Sequence, residues 1–147
     1  MVRQKRASNA FDGIGAAMNP GRWNSPNSRI VYCASNLSLA VLEIIANLGD
    51  SDLPPNYLAF RIAVDSADIL TLQPSKLPHK WNSDVPGILT RKVGDDWLSS
   101  MSSLALEIPS SVLPSETNVL LNPLHPKMIG LDLAQFEPLV VNHRLLK

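Results

Sequence analysis

Residues 29–48, RIVYCASNLSLAVLEIIANL, contain the strand and the helix from which the rest of the chain can be placed. Arg29 to Ala34 (RIVYCA) is short, apolar and β-branched, as a strand requires. Ser35 or Asn36 then offers an N-cap, and Leu37 to Leu48 is predicted to run as a helix until Gly49. Glu43 is the one charged residue between Asn36 and Gly49, and apolar side chains surround it at nearly every helical position. Such a helix is expected to be buried on most of its surface. A carboxylate on it must reach water, find a cation or hold a proton, because burying the bare charge costs several kcal/mol. Glu43 therefore lies either on a narrow exposed edge or in a cleft as a site carboxylate.

Working outward, residues 1–28 are polar and punctuated by Gly13, Gly15, Pro20, Gly21 and Pro26, which reads as a long loop with at most one short element. Long ordered loops often carry function. After a turn at Pro54 and Pro55, Tyr57 to Val64 (YLAFRIAV) and Ile69 to Gln73 (ILTLQ) are predicted as two strands of a sheet. Residues 74–93 read as loop. Asp95 is expected to cap a short helix through Trp97 to Met101, and Ser103 to Ile108 to form a strand stopped by Pro109. Val119 to Leu121 and Leu139 to Val141 are further strand candidates. Strands and helices alternate without a βαβ period and twelve prolines keep strands short, so the expected class is α+β with a mixed short-stranded sheet.

Composition narrows function. A chain of 147 residues with 45% hydrophobic content can bury one ordinary core. Thirteen basic residues balance thirteen acidic ones, so no strong field draws the chain to nucleic acid or to an anionic membrane. Cys33 is the only cysteine, which excludes an internal disulfide and fits a reducing, cytoplasmic setting. No stretch approaches the ~20 apolar residues of a membrane span, and no signal-peptide core follows the basic start. His79, His125 and His143 lack the paired spacing of a zinc site, so no metal is expected.

Three further residues could carry chemistry. Arg22, in GRWN, is either a surface arginine or a fork of donors suited to a diphosphate or to the Glu43 carboxylate. Tyr32 falls in the strand before the Glu43 helix, where tyrosines usually fill core and satisfy their hydroxyl. Ser110 follows Pro109, where ordinary turn chemistry would account for it. Gly13-Ile14-Gly15-Ala16-Ala17-Met18 begins like G-x-G-x-x-G, but Met18 replaces the third glycine and no apolar strand precedes it, which speaks against a Rossmann site. No G-x-S-x-G elbow occurs.

Taken together, FDGIGAAMNPGRWNSPNSRIVYCASNLSLAVLEIIANL and LALEIPSSVLPSETNVLLNPLHP resemble the two blocks of the RES family, named for its Arg, Glu and Ser residues. Arg22, Tyr32 and Glu43 fall in the first block, Ser110 in the second, and Asn118, Asn122 and His125 in its NxxxNPxHP tail. DDWL and HRLL match between and after the blocks, so the resemblance covers nearly the whole chain and implies one RES domain over residues 1–147. Two departures stand out. Ten residues precede Phe11, so the family's N-terminal strand is expected to be short or lost, weakening a sheet edge. Val141 to Leu145 replaces the family's Phe-Asp-Pro-Arg-Leu-like segment.

The resemblance implies an ADP-ribosyltransferase-like fold and a toxin of a toxin–antitoxin pair. It implies depletion of NAD by cleavage of the nicotinamide–ribose bond, through hydrolysis or phosphorolysis, with NAD as substrate and no cofactor. Glu43 would stabilise the charged ribose, while Arg22, Tyr32, Ser110 and Asn118 would bind substrate. The implied partner is an Xre-like helix-turn-helix antitoxin, with no direct nucleic acid and no membrane, and a homodimer is left open. Transfer of ADP-ribose to a protein target is the alternative within the same chemistry. A catalytically silent binding module is the alternative outside it.

Overall fold

A computed structural model describes residues 1–48 and 56–145. The expected helix stop at Gly49 and the turn at Pro54 and Pro55 lie outside these residues. The described chain forms two sheets and three α-helices, an α+β architecture. Strands β1 (Val2–Arg3), β3 (Tyr57–Phe60) and β7 (Phe136–Pro138) make a three-stranded antiparallel sheet in the order β1-β3-β7. Strands β2 (Val31–Ala34), β6 (Thr117–Leu121), β5 (Ala105–Pro109) and β4 (Ile69–Thr71) make a four-stranded mixed sheet in the order β2-β6-β5-β4, whose one parallel pair is β4 with β5. Helices α1 (Ile14–Met18), α2 (Leu37–Leu48) and α3 (Ile88–Ser100) complete the fold.

Strand β5 is central, and its alternation places side chains in two cores. Leu106 and Ile108 pack with Trp23, Ile30, Trp97, Leu98 and Leu120 beneath α3. Ala105 joins Val31, Leu104, Leu121 and Met128 on the opposite side. There Ile62 and Val64 pack against the cluster, which is why the segment predicted as a strand to Val64 leaves its sheet after Phe60. In the three-stranded sheet, Phe60 makes an edge contact with Phe11 at 5.2 Å and a tilted one with Phe136 at 5.1 Å.

Several expectations need correction. The segments at Tyr57 and Ile69 do not share a sheet: β3 pairs with β1 and β7, and β4 pairs with β5. The last strand is Phe136–Pro138 rather than Leu139 to Val141, because its place is set by pairing with β3 and not by the local apolar run; Val140 is 92% exposed. Pro109 does not stop β5. Its missing N–H faces the side where β4 has already ended at Thr71, opposite Glu107, so no ladder bond is lost. The N-terminal strand is present, shortened to two residues against Leu58 and Tyr57.

The largest departure is α3, which begins at Ile88 inside the expected loop and runs through Asp95. Asp95 is therefore no N-cap. Gly94 sits in mid-helix because a Cβ there would lie 1.7 Å from the Trp23 carbonyl oxygen, so only glycine lets this helix meet the GRWN loop. Among the described residues no helix is long and apolar enough to cross a membrane.

Candidate active site

Glu43 is placed by a strand–turn–helix whose cap is Asn36: its Oδ1 accepts the Leu39 amide at 2.8 Å, starting α2. The helix is less buried than its sequence predicts, since Leu39 is its only buried residue. Its apolar side chains form a wall instead of a core layer: Ala40, Ile44 and Leu48 line a cleft of about 940 Å³, and Glu43 lies on that wall. The cleft reading of this carboxylate, and not the exposed-edge one, matches the geometry.

Asn118 of β6 and Ser110, which directly follows β5, hold the carboxylate by a single oxygen. The Ser110 hydroxyl donates to Glu43 Oε1 at 2.7 Å, and Asn118 Nδ2 donates to the same atom at 2.5 Å. Ser110 is itself fixed, because its Oγ accepts the Val112 and Leu113 amides at 3.0 Å each while its own amide donates to the Glu116 carbonyl. Glu43 Oε2 has no hydrogen-bond partner among the described residues. A carboxylate pinned by one oxygen keeps its orientation and leaves the other free to receive a ligand donor or face a developing cation. The Asn118 Oδ1 is buried without a hydrogen-bond partner among the described residues.

Across the cleft stands the GRWN loop, whose hub is Asn24. This residue is fully buried; its Oδ1 accepts the Gly21 amide at 2.9 Å and the Tyr32 hydroxyl at 2.8 Å. Its Nδ2 donates to the carbonyls of Ala16, Ser25 and Ser28. The Tyr32 hydroxyl also accepts the Trp23 amide at 3.0 Å. Gly21 is required here, since a Cβ would stand 2.6 Å from that hydroxyl. Tyr32 thus has an engaged hydroxyl, while the residue as a whole is still 40% exposed. Burial pushes its phenol up to about 12.

Helix α3 braces the loop from behind along one face. Arg91 Nε donates to the Gly21 carbonyl, Gly94 meets Trp23, and Asp95 accepts the Ser25 amide at 3.1 Å. Burial alone would raise the Asp95 carboxyl, but hydrogen bonds from Ser25 and Ser28 and the Arg91 charge outweigh it and hold the group below its ordinary value.

Arg22 points from the same loop into the cleft, and its Nη1 donates to the Trp81 carbonyl at 2.7 Å. Burial lowers its pKa, opposed by the charges of Glu43, Tyr32 and Asp84, and the guanidinium remains a cation. Among the described residues Arg22 makes no ion pair, so it stands near Glu43 without being neutralised by it.

Arg22, Tyr32, Glu43 and Asn118 are thus brought together on the walls of one cleft. Ser110 is the exception to the expected roles: it is fully buried and its hydroxyl is committed, so it reaches a ligand only through Glu43. Asn122 and His125 are structural. Asn122 donates to the Leu98 carbonyl, and His125 Nδ1 accepts the Lys127 amide, capping a short 3-10 turn. Asn24 and Arg91 are not singled out by the sequence, and Asp95 only as a helix cap; GRWN and DDWL, which carry Asn24 and Asp95, are the only signal of their place at the site. No group of three metal-ligating side chains occurs among the described residues.

Fold and site together define a small α+β protein with an oriented carboxylate and, on the same cleft, a guanidinium that makes no ion pair among the described residues. The RES domain model matches residues 2–142, and the chain belongs to the RES domain family. It is similar to "Toxin Res" of Yersinia enterocolitica, 37% identical over 139 residues, which cover 95% of this chain and 91% of that protein. "Toxin Res" of Photorhabdus laumondii is 36% identical over 84% of this chain and 80% of its own length. A Sphingobium protein named "Prs ADP-ribosylating toxin" is 34% identical over 93% of this chain and 87% of its own, which fits an ADP-ribosyltransferase-like fold.

Proposed function

We propose that this chain, as one RES domain over residues 1–147, is the toxin of a toxin–antitoxin pair and breaks the bond between nicotinamide and ribose in NAD. The observation that carries the reading is Glu43 held through Oε1 by Ser110 and Asn118, with Oε2 unpartnered among the described residues and Arg22 cationic on the same cleft. When that bond breaks, its electron pair leaves with nicotinamide and positive charge develops on the ribose. A fixed carboxylate stabilises this oxocarbenium-like state, as in glycoside hydrolysis. Arg22 binds the diphosphate with its remaining donors, and the Tyr32 ring packs against nicotinamide or ribose. Ser110 acts through Glu43. NAD is the substrate and no cofactor is needed.

Water or phosphate then attacks the ribose carbon, giving hydrolysis or phosphorolysis. A protein side chain as acceptor is the second reading, favoured by the name of the Sphingobium relative. The names of the other relatives support the toxin role, which calls for a neutralising partner; an antitoxin with an Xre-like helix-turn-helix, covering the cleft in the cytoplasm, fits it. Incubating the purified chain with adenine-labelled NAD, with and without phosphate and cell extract, tests the reading. Free nicotinamide without labelled protein supports NAD destruction, and phosphate dependence names the acceptor. Label on protein supports transfer, and no nicotinamide from folded, partner-free chain contradicts both.

A further inference from the structure

The hydroxyl of Tyr32 is spent inside the protein: it donates to Asn24 Oδ1 and accepts the Trp23 amide, so its one proton already has an internal acceptor. What the cleft receives from this residue is the face of the ring. The same Asn24 oxygen takes the amide of Gly21, directly before Arg22. One buried side chain therefore fixes the two functional groups that stand opposite Glu43. We infer that Asn24 is a positioning residue of the reaction, which holds the Tyr32 ring and the backbone entering Arg22 at fixed places in the cleft wall.

The chemistry of Asn24 suits this use. A carboxamide supplies an acceptor to one side and donors to the other, and here the donors close on the carbonyls of Ala16, Ser25 and Ser28. Aspartate would lose the donors, and leucine would lose both halves at similar volume. Because binding groups misplaced by about 1 Å can cost on the order of 100-fold in rate, an anchor shared by two of them acts on turnover as well as on stability. The inference rests on the NAD reading above, and its test separates the two.

Nicotinamide release is measured for wild type, Asn24→Leu, Tyr32→Phe, Tyr32→Leu and the Asn24→Leu/Tyr32→Phe pair, at a temperature where circular dichroism shows each folded. Asn24→Leu is expected to lose about 100-fold in kcat/KM, with both kcat and KM affected. Tyr32→Phe, which keeps the ring and frees the anchor, is expected to lose about tenfold, and Tyr32→Leu about 100-fold or more. The paired variant is expected to be little worse than Asn24→Leu alone, since both changes break one link. A folded Asn24→Leu within twofold of wild type, or losses that simply multiply in the pair, overturns the inference. Where Asn24→Leu does not fold, Tyr32→Phe decides: equality with wild type means the anchor is idle, and equality with Tyr32→Leu means the hydroxyl itself does chemistry, each overturning it. No release by wild type overturns the NAD reading instead.

Discussion

Ser110 and Glu43, 67 positions apart in the chain, share a 2.7 Å hydrogen bond from the serine hydroxyl to Oε1. Ser110→Ala removes this donor and leaves the Val112 and Leu113 amides without their acceptor. The expected outcome is a loss of roughly 1–3 kcal/mol in stability. A fall in kcat of about 10- to 100-fold should accompany it, with KM changed much less, because the serine does not touch substrate. Chemical denaturation and steady-state nicotinamide release check the two parts.

Asn118 donates to the same oxygen, so the two residues should not act independently. Asn118→Leu alone is expected to lower turnover by about tenfold or more, and the Ser110→Ala/Asn118→Leu pair to depart from additivity by about 0.5–3 kcal/mol in activation free energy. A double-mutant cycle on kcat/KM measures that coupling. Strict additivity would mean that the two residues do not hold one carboxylate.

The fold class and the strand–cap–helix that carries Glu43 were legible in the sequence. Strand β2, the cap at Asn36 and helix α2 rest on local signals, a β-branched run followed by a short polar cap, and these survive in the structure. Helix α3 was half missed because residues 74–93 read as loop and Asp95 as a cap, whereas the reason a glycine stands at position 94 in mid-helix lies 71 residues away at the Trp23 carbonyl. The degree of burial of Ser110 and the hub role of Asn24 were equally hidden. Both depend on which distant backbone groups a folded loop brings within reach, and no periodicity encodes that.

Gly94→Ala is accordingly expected to be among the costlier single-methyl additions in the chain. The Cβ meets backbone, which cannot rotate away, so α3 must move off the loop. Destabilisation of about 1–3 kcal/mol is expected, visible as a drop of several degrees in Tm. Activity should fall further than stability, since Arg91 and Asp95 brace the same loop. Thermal melts and nicotinamide release on the same samples check this.

Tyr32 gives the fold an alkaline limit. Its folded phenol is pushed up to about 12 by burial, above its ordinary value of 10.0, so between these values the unfolded chain loses a proton that the folded chain keeps. Its contribution to stability is therefore fully present below pH ~10 and is lost as pH rises toward 12. Urea denaturation from pH 8 to 11 should show a decline in wild type that is smaller in Tyr32→Phe. Equal declines in both proteins would place the titrating group elsewhere.

The most direct test of the central claim is nicotinamide release from NAD by purified, partner-free protein, compared with Glu43→Gln at equal folded concentration. The substitution keeps the size of the side chain and removes its charge. The account predicts release by wild type and a loss of about 100-fold or more in the variant, with both proteins giving the same circular dichroism spectrum. A Glu43→Gln variant within twofold of wild type would contradict it.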